Sequence, residues 1–261
     1  MSSQRFQSHR QLLKDSIRQR VDFSQTPQRL GEPPPPLQQP YAPELSLIPL
    51  PDGAQCMRQL ATLSVAEAIA QRQSHRNFAP QALSLEQLSA LLWASQGVRK
   101  VLSASTALRT VPSAGARHPF ESYLAIRRVD GLTPGLYRYL PFGIDSDPES
   151  AAQLVLLREM DDIGLRAADA CYRQSFVALA GLSIFWTAIP VRGEWRYDLA
   201  AHKVIAIDAG HVCQNVYLAA EAMGLGCCAI AAYDQGLCDR LLGVDGDEEF
   251  TIYIAALGVA R

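Results

Sequence analysis

The sequence predicts an α+β fold: one core built on a mixed, mainly antiparallel sheet with long helices packed against it. Three stretches carry that reading. Leu182 to Ile189 (LSIFWTAI) is a continuous apolar run, the pattern of a strand buried on both faces. Val212, Val216, Ala219, Ala220 and Met223 recur at helical spacing and define the stripe of the strongest helix, which Gly224 stops. Phe250 to Val259 supplies a last apolar strand.

The totals agree with a globular chain. Its 261 residues are 48% hydrophobic and 19% charged, with a formal net charge of −2. That balance offers neither a basic excess for nucleic acid nor an acidic excess for a solvated tail. No apolar run is long enough to cross a membrane, and the start MSSQRFQSHRQ lacks the apolar centre of a signal peptide, so a cytoplasmic protein is expected. The six cysteines (Cys56, Cys171, Cys213, Cys227, Cys228 and Cys238) show no CxxC spacing. The vicinal pair Cys227-Cys228 is expected as two small buried hydrophobes rather than a strained disulfide. With no His/Cys cluster at ligand spacing, no metal site is expected.

In chain order, residues 1–43 stand apart. They hold seven of the sixteen prolines, including Pro33 to Pro36. Gln11 to Arg20 suits a helical turn or two, and the proline run after it must be extended. The segment reads either as an arm lying over the body or a partner subunit, or as a disordered tail. Residues 44–261 read as one domain. Ser64-Val65-Ala66-Glu67 is a capping box that opens a short helix to about Gln71. Ser84-Leu85-Glu86-Gln87 is a second, opening a helix with Leu88, Leu91 and Leu92 at helical spacing and Gly97 at its end. A loop of small residues, Pro112 to Ala116, turns at His118-Pro119 into a strand over Tyr123–Val129. Gly135–Leu140 alternates as another strand. Residues 149–180 read as helices with a break near Asp161–Gly164. Asp208 reads as the cap of the long helix, with His211 in its first turn. Cys227–Ala232 reads as a short strand and Asp234–Leu242 as a helix.

Several constellations can carry chemistry. RQSHR places Arg72, Ser74, His75 and Arg76 where a helix ends, and two planar guanidinium forks beside a hydroxyl suit a phosphate or a polyhydroxyl chain. A solvated helix end explains the same residues. The small residues of VPSAGA and of GLGCCAIAAYD let backbone approach a flat partner, or else mark a turn and a close strand–helix contact. Arg192 to His202 follows a buried strand and reads as a loop, in which Tyr197 beside a cation suits a general acid or base. Walker A, GxGxxG, GxSxG and HExxH patterns do not occur, which disfavours nucleotide-loop and Rossmann enzymes.

Taken in order, RQSHRNF (72–78), LSLEQLSALLWASQGV (83–98), VPSAGARHPFESYLAI (111–126), GLYRY (135–139), IDAGHVCQNVYLAAEAMGLGCCAI (207–230) and IYIAALGV (252–259) resemble the nitroreductase superfamily of FMN enzymes. Within it they most resemble the SagB-type branch of thiazoline and oxazoline dehydrogenases. The resemblance implies a three-layer nitroreductase-like fold and a homodimer with FMN at the subunit interface. Arg72, Ser74 and Arg76 match the motif gripping the flavin phosphate, ribityl and pyrimidine edge. Pro112, Ser113, Ala114 and Gly115 match the loop lying on the isoalloxazine, contributed by the partner subunit. Ala231 and Ala232 match the backbone facing N5, and Arg261 a basic phosphate contact. The implied reaction is hydride transfer between flavin N5 and a peptide-borne or small organic substrate. NAD(P)H-driven reduction of nitro compounds or quinones, and a non-catalytic flavin-binding subunit, are the alternatives. In the azoline oxidases a Lys-Tyr pair abstracts the proton; here Arg196-Tyr197 stands in its place. Arginine stays charged and cannot act as a base.

Overall fold

The computed structural model describes residues 6, 7, 9–103, 105–143 and 151–261. Its centre is a sheet in the order β1-β6-β5-β4-β7-β9-β8, with every neighbouring pair antiparallel. The strands are β1 (Leu47–Pro49), β4 (Phe120–Ile126), β5 (Gly135–Leu140), β6 (Gln153–Glu159), β7 (Leu182–Ala188), β8 (Leu225–Ile230) and β9 (Phe250–Val259). A separate hairpin, β2 (Val98–Ser103) and β3 (Thr106–Arg109), stands outside it.

Alternation along the strands explains the apolar run of β7. Ile184 and Trp186 point to one face and Phe185 to the other, and all three are fully buried. The first face also carries Leu124, Tyr137 and Leu257. It packs on helices α3 (Leu85–Gln96) and α7 (Ala201–Ala222). The second face, with Ala125, Leu136 and Ile254, packs on α4 (Ile163–Ala170), α5 (Ser175–Leu179) and α8 (Gln235–Leu242). Three layers result, helix–sheet–helix. Fully burying each large apolar side chain contributes roughly 1.5–3 kcal/mol against chain entropy.

Both capping boxes form. Ser64 accepts from the Glu67 amide at the start of α2 (Val65–Gln71), and Ser84 accepts from Gln87 at the start of α3. Helix α1 (Gly53–Leu60) precedes them, capped by Asp52. All six cysteines are free and buried.

Three expectations need correction. The stretch 149–180, read as helical, contains strand β6, and residues 149–150 lie outside the described residues. Its core QLVLLRE is a short apolar run whose period does not separate strand from helix. Arg192–His202, read as a loop, is helical: α6 (Val191–Tyr197), a short 3-10 turn, and the start of α7. Asp208 does not cap α7. The helix begins seven residues earlier, behind Ala200, which offers no capping side chain, so both Asp208 and His211 lie well inside it.

Candidate functional site

Helix α2 ends at Arg72, and the chain then runs extended beside β8. The His75 amide donates to the Cys227 carbonyl (2.9 Å), Phe78 bridges Ala260, and the Arg261 amide donates to the Asn77 carbonyl (3.2 Å). Two glycines make this close approach possible. A Cβ at Gly226 would stand 2.8 Å from the His75 Cβ, and one at Gly258 3.0 Å from the Phe78 ring. Arg72, Ser74, Arg76 and Arg261 are thereby carried on one continuous backbone surface.

The Arg72 and Arg76 side chains lie against aromatic rings rather than acids. The Arg72 guanidinium lies 5.2 Å above the Tyr217 ring and that of Arg76 lies 5.9 Å above Phe176. Among the described residues, Arg72, Arg76 and Arg261 have no carboxylate partner. The Tyr217 hydroxyl accepts from the Ala229 amide (2.7 Å) and shares a hydrogen bond with Ser74 Oγ (2.9 Å); burial pushes its phenol pKa up. Ala231 and Ala232 follow β8 directly, exposed, with the Ala232 carbonyl accepting from Gln174 Nε2 (3.1 Å).

The Pro112–Ala116 loop forms a second group. Asp208, almost buried on α7, accepts from the Ala114 amide (3.1 Å) and from the Ser113 hydroxyl. Ser113 Oγ in turn accepts from the His118 amide (2.9 Å). Desolvation raises the Asp208 carboxyl above its ordinary range, against the lowering effect of these donors and of His211. Gly115 has φ +58°, and a Cβ there would meet Tyr197 Oη at 2.5 Å and Arg196 Cδ at 2.9 Å. The small loop and the Arg196-Tyr197 pair therefore touch within one chain. The Arg196 guanidinium lies 5.7 Å from its neighbour's ring.

Around this group lies a network that the sequence did not single out. Arg192 Nη2 donates to Glu121 Oε1 (2.5 Å), with both side chains only 3% exposed. The same carboxylate oxygen accepts from the Gln39 amide (2.9 Å). Arg138 donates to the Gln39 and Pro40 carbonyls, Arg109 to that of Leu37, and Trp195 Nε1 to that of Glu32. Residues 32–40 are thus strapped to β3, β4, β5 and α6 through their backbone. Arg117 stacks 5.0 Å above the Trp195 ring. His118 is buried with φ +44°, and burial followed by the charge of Arg109 depresses its pKa to about 3, so its ring is neutral.

This three-layer fold is that of a family of oxidoreductases. The chain belongs to the nitroreductase family, whose model matches residues 69–259. A Methanocaldococcus jannaschii protein named as a nitroreductase is 31% identical over 196 residues, covering 75% of this chain and 91% of its own. The trifolitoxin-processing protein TfxB of Rhizobium leguminosarum bv. trifolii is 26% identical over 52% of this chain, which spans only 36% of TfxB. The solved structure of a Ralstonia eutropha protein named as a nitroreductase superposes with a TM-score of 0.65 at 26% identity, covering 88% of this chain and 99% of that one. Among the described residues no helix is long and apolar enough to cross a membrane.

Proposed function

We propose that the chain is an FMN-dependent oxidoreductase of the SagB-like dehydrogenase type, working as a cytoplasmic homodimer with FMN at the subunit interface. The residues fit that cofactor. Arg72, Arg76 and Arg261 offer guanidinium forks free of carboxylates, as a phosphate requires, and Ser74 adds a hydroxyl beside them. Pro112, Ser113, Ala114 and Gly115, with Ala231 and Ala232, present backbone and small side chains to a flat ring. When bound, FMN supplies hydride transfer at its N5.

The observation that carries the dimer lies on α7. Tyr217 serves the basic segment and Asp208 the small loop, nine residues apart. At 3.6 residues per turn that is two and a half turns, about 13 Å along the axis and on opposite sides of the helix. That separation supports a site shared between two copies rather than closed by one chain. A second copy brings its Pro112–Gly115 loop to the first copy's Arg72–Arg76 segment.

Within the site we assign Tyr197 the role of holding or passing a proton at its phenol oxygen, with the Arg196 guanidinium 5.7 Å from its ring. Gly115 keeps the oxygen close to the loop. The match to TfxB supports a peptide-borne substrate. The M. jannaschii relative supports a second reading, NAD(P)H-driven reduction of nitro compounds or quinones.

The test is optical. Purified protein titrated with FMN should show bound-flavin absorbance in a dimer. Failure to bind FMN sinks the proposal. Anaerobic bleaching by a thiazoline-containing peptide supports the dehydrogenase reading, and bleaching by NAD(P)H alone the reductase reading.

A further inference from the structure

We propose that the cavity of about 360 Å³ behind the Pro112–Ala116 loop binds a carboxylate of the substrate, with Arg99 and Arg109 as its charged donors. This rests on the reading of Tyr197 as the substrate-side residue. The cavity is lined by Arg99, Arg109, Ser113, Ala116 and His118 among others, and by no acidic side chain among the described residues, the Asp208 carboxylate being engaged behind it by Ser113 and Ala114. Gly115, between two of those lining residues, touches Tyr197 and Arg196, so one thickness of loop separates the cavity from the phenol.

Charge decides what such a cavity takes. Arg109 is 5% exposed and spends its Nη atoms on neutral acceptors, the Gln96 side chain (2.9 Å) and the Leu37 carbonyl (3.2 Å). Its Nε has no partner among the described residues. Arg99 is exposed at the cavity wall and also unpaired among those residues. Arg109, Arg117 and Arg192 are all buried, and Glu121 pairs directly with Arg192 while its charge also acts on Arg109. Burial, followed by the charges of Arg109, Arg117 and Arg192, holds the His118 imidazole neutral, so the charged side chains lining the cavity are Arg99 and Arg109. Buried charge without a partner is costly, and a bound anion relieves it. A planar carboxylate matches a guanidinium fork in two parallel hydrogen bonds. The FMN phosphate is the other source of negative charge: its proposed donors lie on the opposite side of α7 within one chain, but in the proposed dimer a second copy's basic segment comes to this loop, so the test sets FMN against riboflavin.

The test compares 4-(trifluoromethyl)benzoate with the neutral 4-(trifluoromethyl)benzamide by 19F NMR titration of the full chain. The benzoate should bind and the benzamide should not. Arg99→Gln should weaken benzoate binding about tenfold, the loss of one charge-assisted hydrogen bond, and Arg99→Lys should weaken it less. Equal binding of the two probes, or unchanged benzoate affinity in Arg99→Gln, overturns the proposal. Displacement of benzoate by FMN but not by riboflavin also overturns it, assigning the cavity to the cofactor phosphate. Because the readout needs no turnover, Arg99-dependent benzoate binding in a chain that takes up no FMN would sink the flavin reading and keep the anion site.

Discussion

Gly115 sits so close beneath Tyr197 that a single methyl group on its Cα would stand 2.5 Å from the phenol oxygen. The same residue has φ +58°, a left-handed conformation that costs a side-chain-bearing residue about 1–2 kcal/mol. Both constraints act on the loop and on the Arg196-Tyr197 pair together. Gly115→Val should lower stability in urea by about 1–2 kcal/mol. It should also weaken FMN binding by about tenfold or more. A variant that keeps wild-type FMN affinity would reduce the loop to a turn.

Asp208 predicts a dependence on pH. Its carboxyl titrates higher in the folded chain than in the unfolded one because it is desolvated. The unfolded chain therefore loses this proton first, and the group's contribution to stability declines as pH rises from below 3.8 through the folded value. Asp208→Asn keeps an acceptor for the Ala114 amide without the charge. Its melting temperature should equal or exceed wild type at pH 7, and the gap should shrink toward pH 4. A gap that widens on acidification would show that the charge stabilises the loop.

Removing one member of a buried ion pair strands the other. Glu121→Gln leaves the Arg192 charge buried and uncompensated, and should cost about 3–5 kcal/mol in denaturant. It also weakens the acceptor of the Gln39 amide, so a protease should cut within residues 32–40 faster than in wild type. Replacing both partners with apolar residues, Glu121→Leu with Arg192→Met, should recover most of the loss.

Tyr217 tests the basic segment without touching an arginine. Tyr217→Phe keeps the ring beneath Arg72 but removes the hydrogen bond to Ser74 and orphans the Ala229 amide. The orphaned donor should lower stability by about 1–3 kcal/mol. FMN affinity should fall roughly two- to tenfold, the equivalent of one ordinary hydrogen bond. Unchanged affinity would mean that Ser74 is positioned by the backbone alone.

Much of the framework was legible because its signals are local. Ser64 and Ser84 announced helices through boxes that need only four consecutive residues. The period of Val212 to Ala220 and the apolar run of β7 are likewise read within one element. What escaped depends on distant partners. Nothing near Gln39 in sequence says that Glu121 will receive its amide, and nothing in IDAG says that Asp208 will hold Ala114. Helices favour a polar residue at their start, and in sequence Asp208 has the character of such a cap. The helix instead begins at Ala201, behind Ala200 with no capping side chain, directly after the 3-10 turn Asp198–Ala200. The β2–β3 hairpin was missed because it turns through serines, without the Asn-Gly signal of a tight turn. For the site, the motif residues were found by their order along the chain, whereas Tyr217, Arg117 and Trp195 are ordinary in sequence and acquire meaning only by contact.

Strand β8 ends the sheet, so its outer backbone groups face no further strand. The Cys227 carbonyl on that side is taken by the His75 amide and the Ala229 amide by the Tyr217 hydroxyl. The Arg72–Phe78 segment therefore also acts as a shield against edge-to-edge pairing between molecules. Variants that dislodge it should self-associate as well as lose ligand, which ties the solubility of the protein to the integrity of its basic motif.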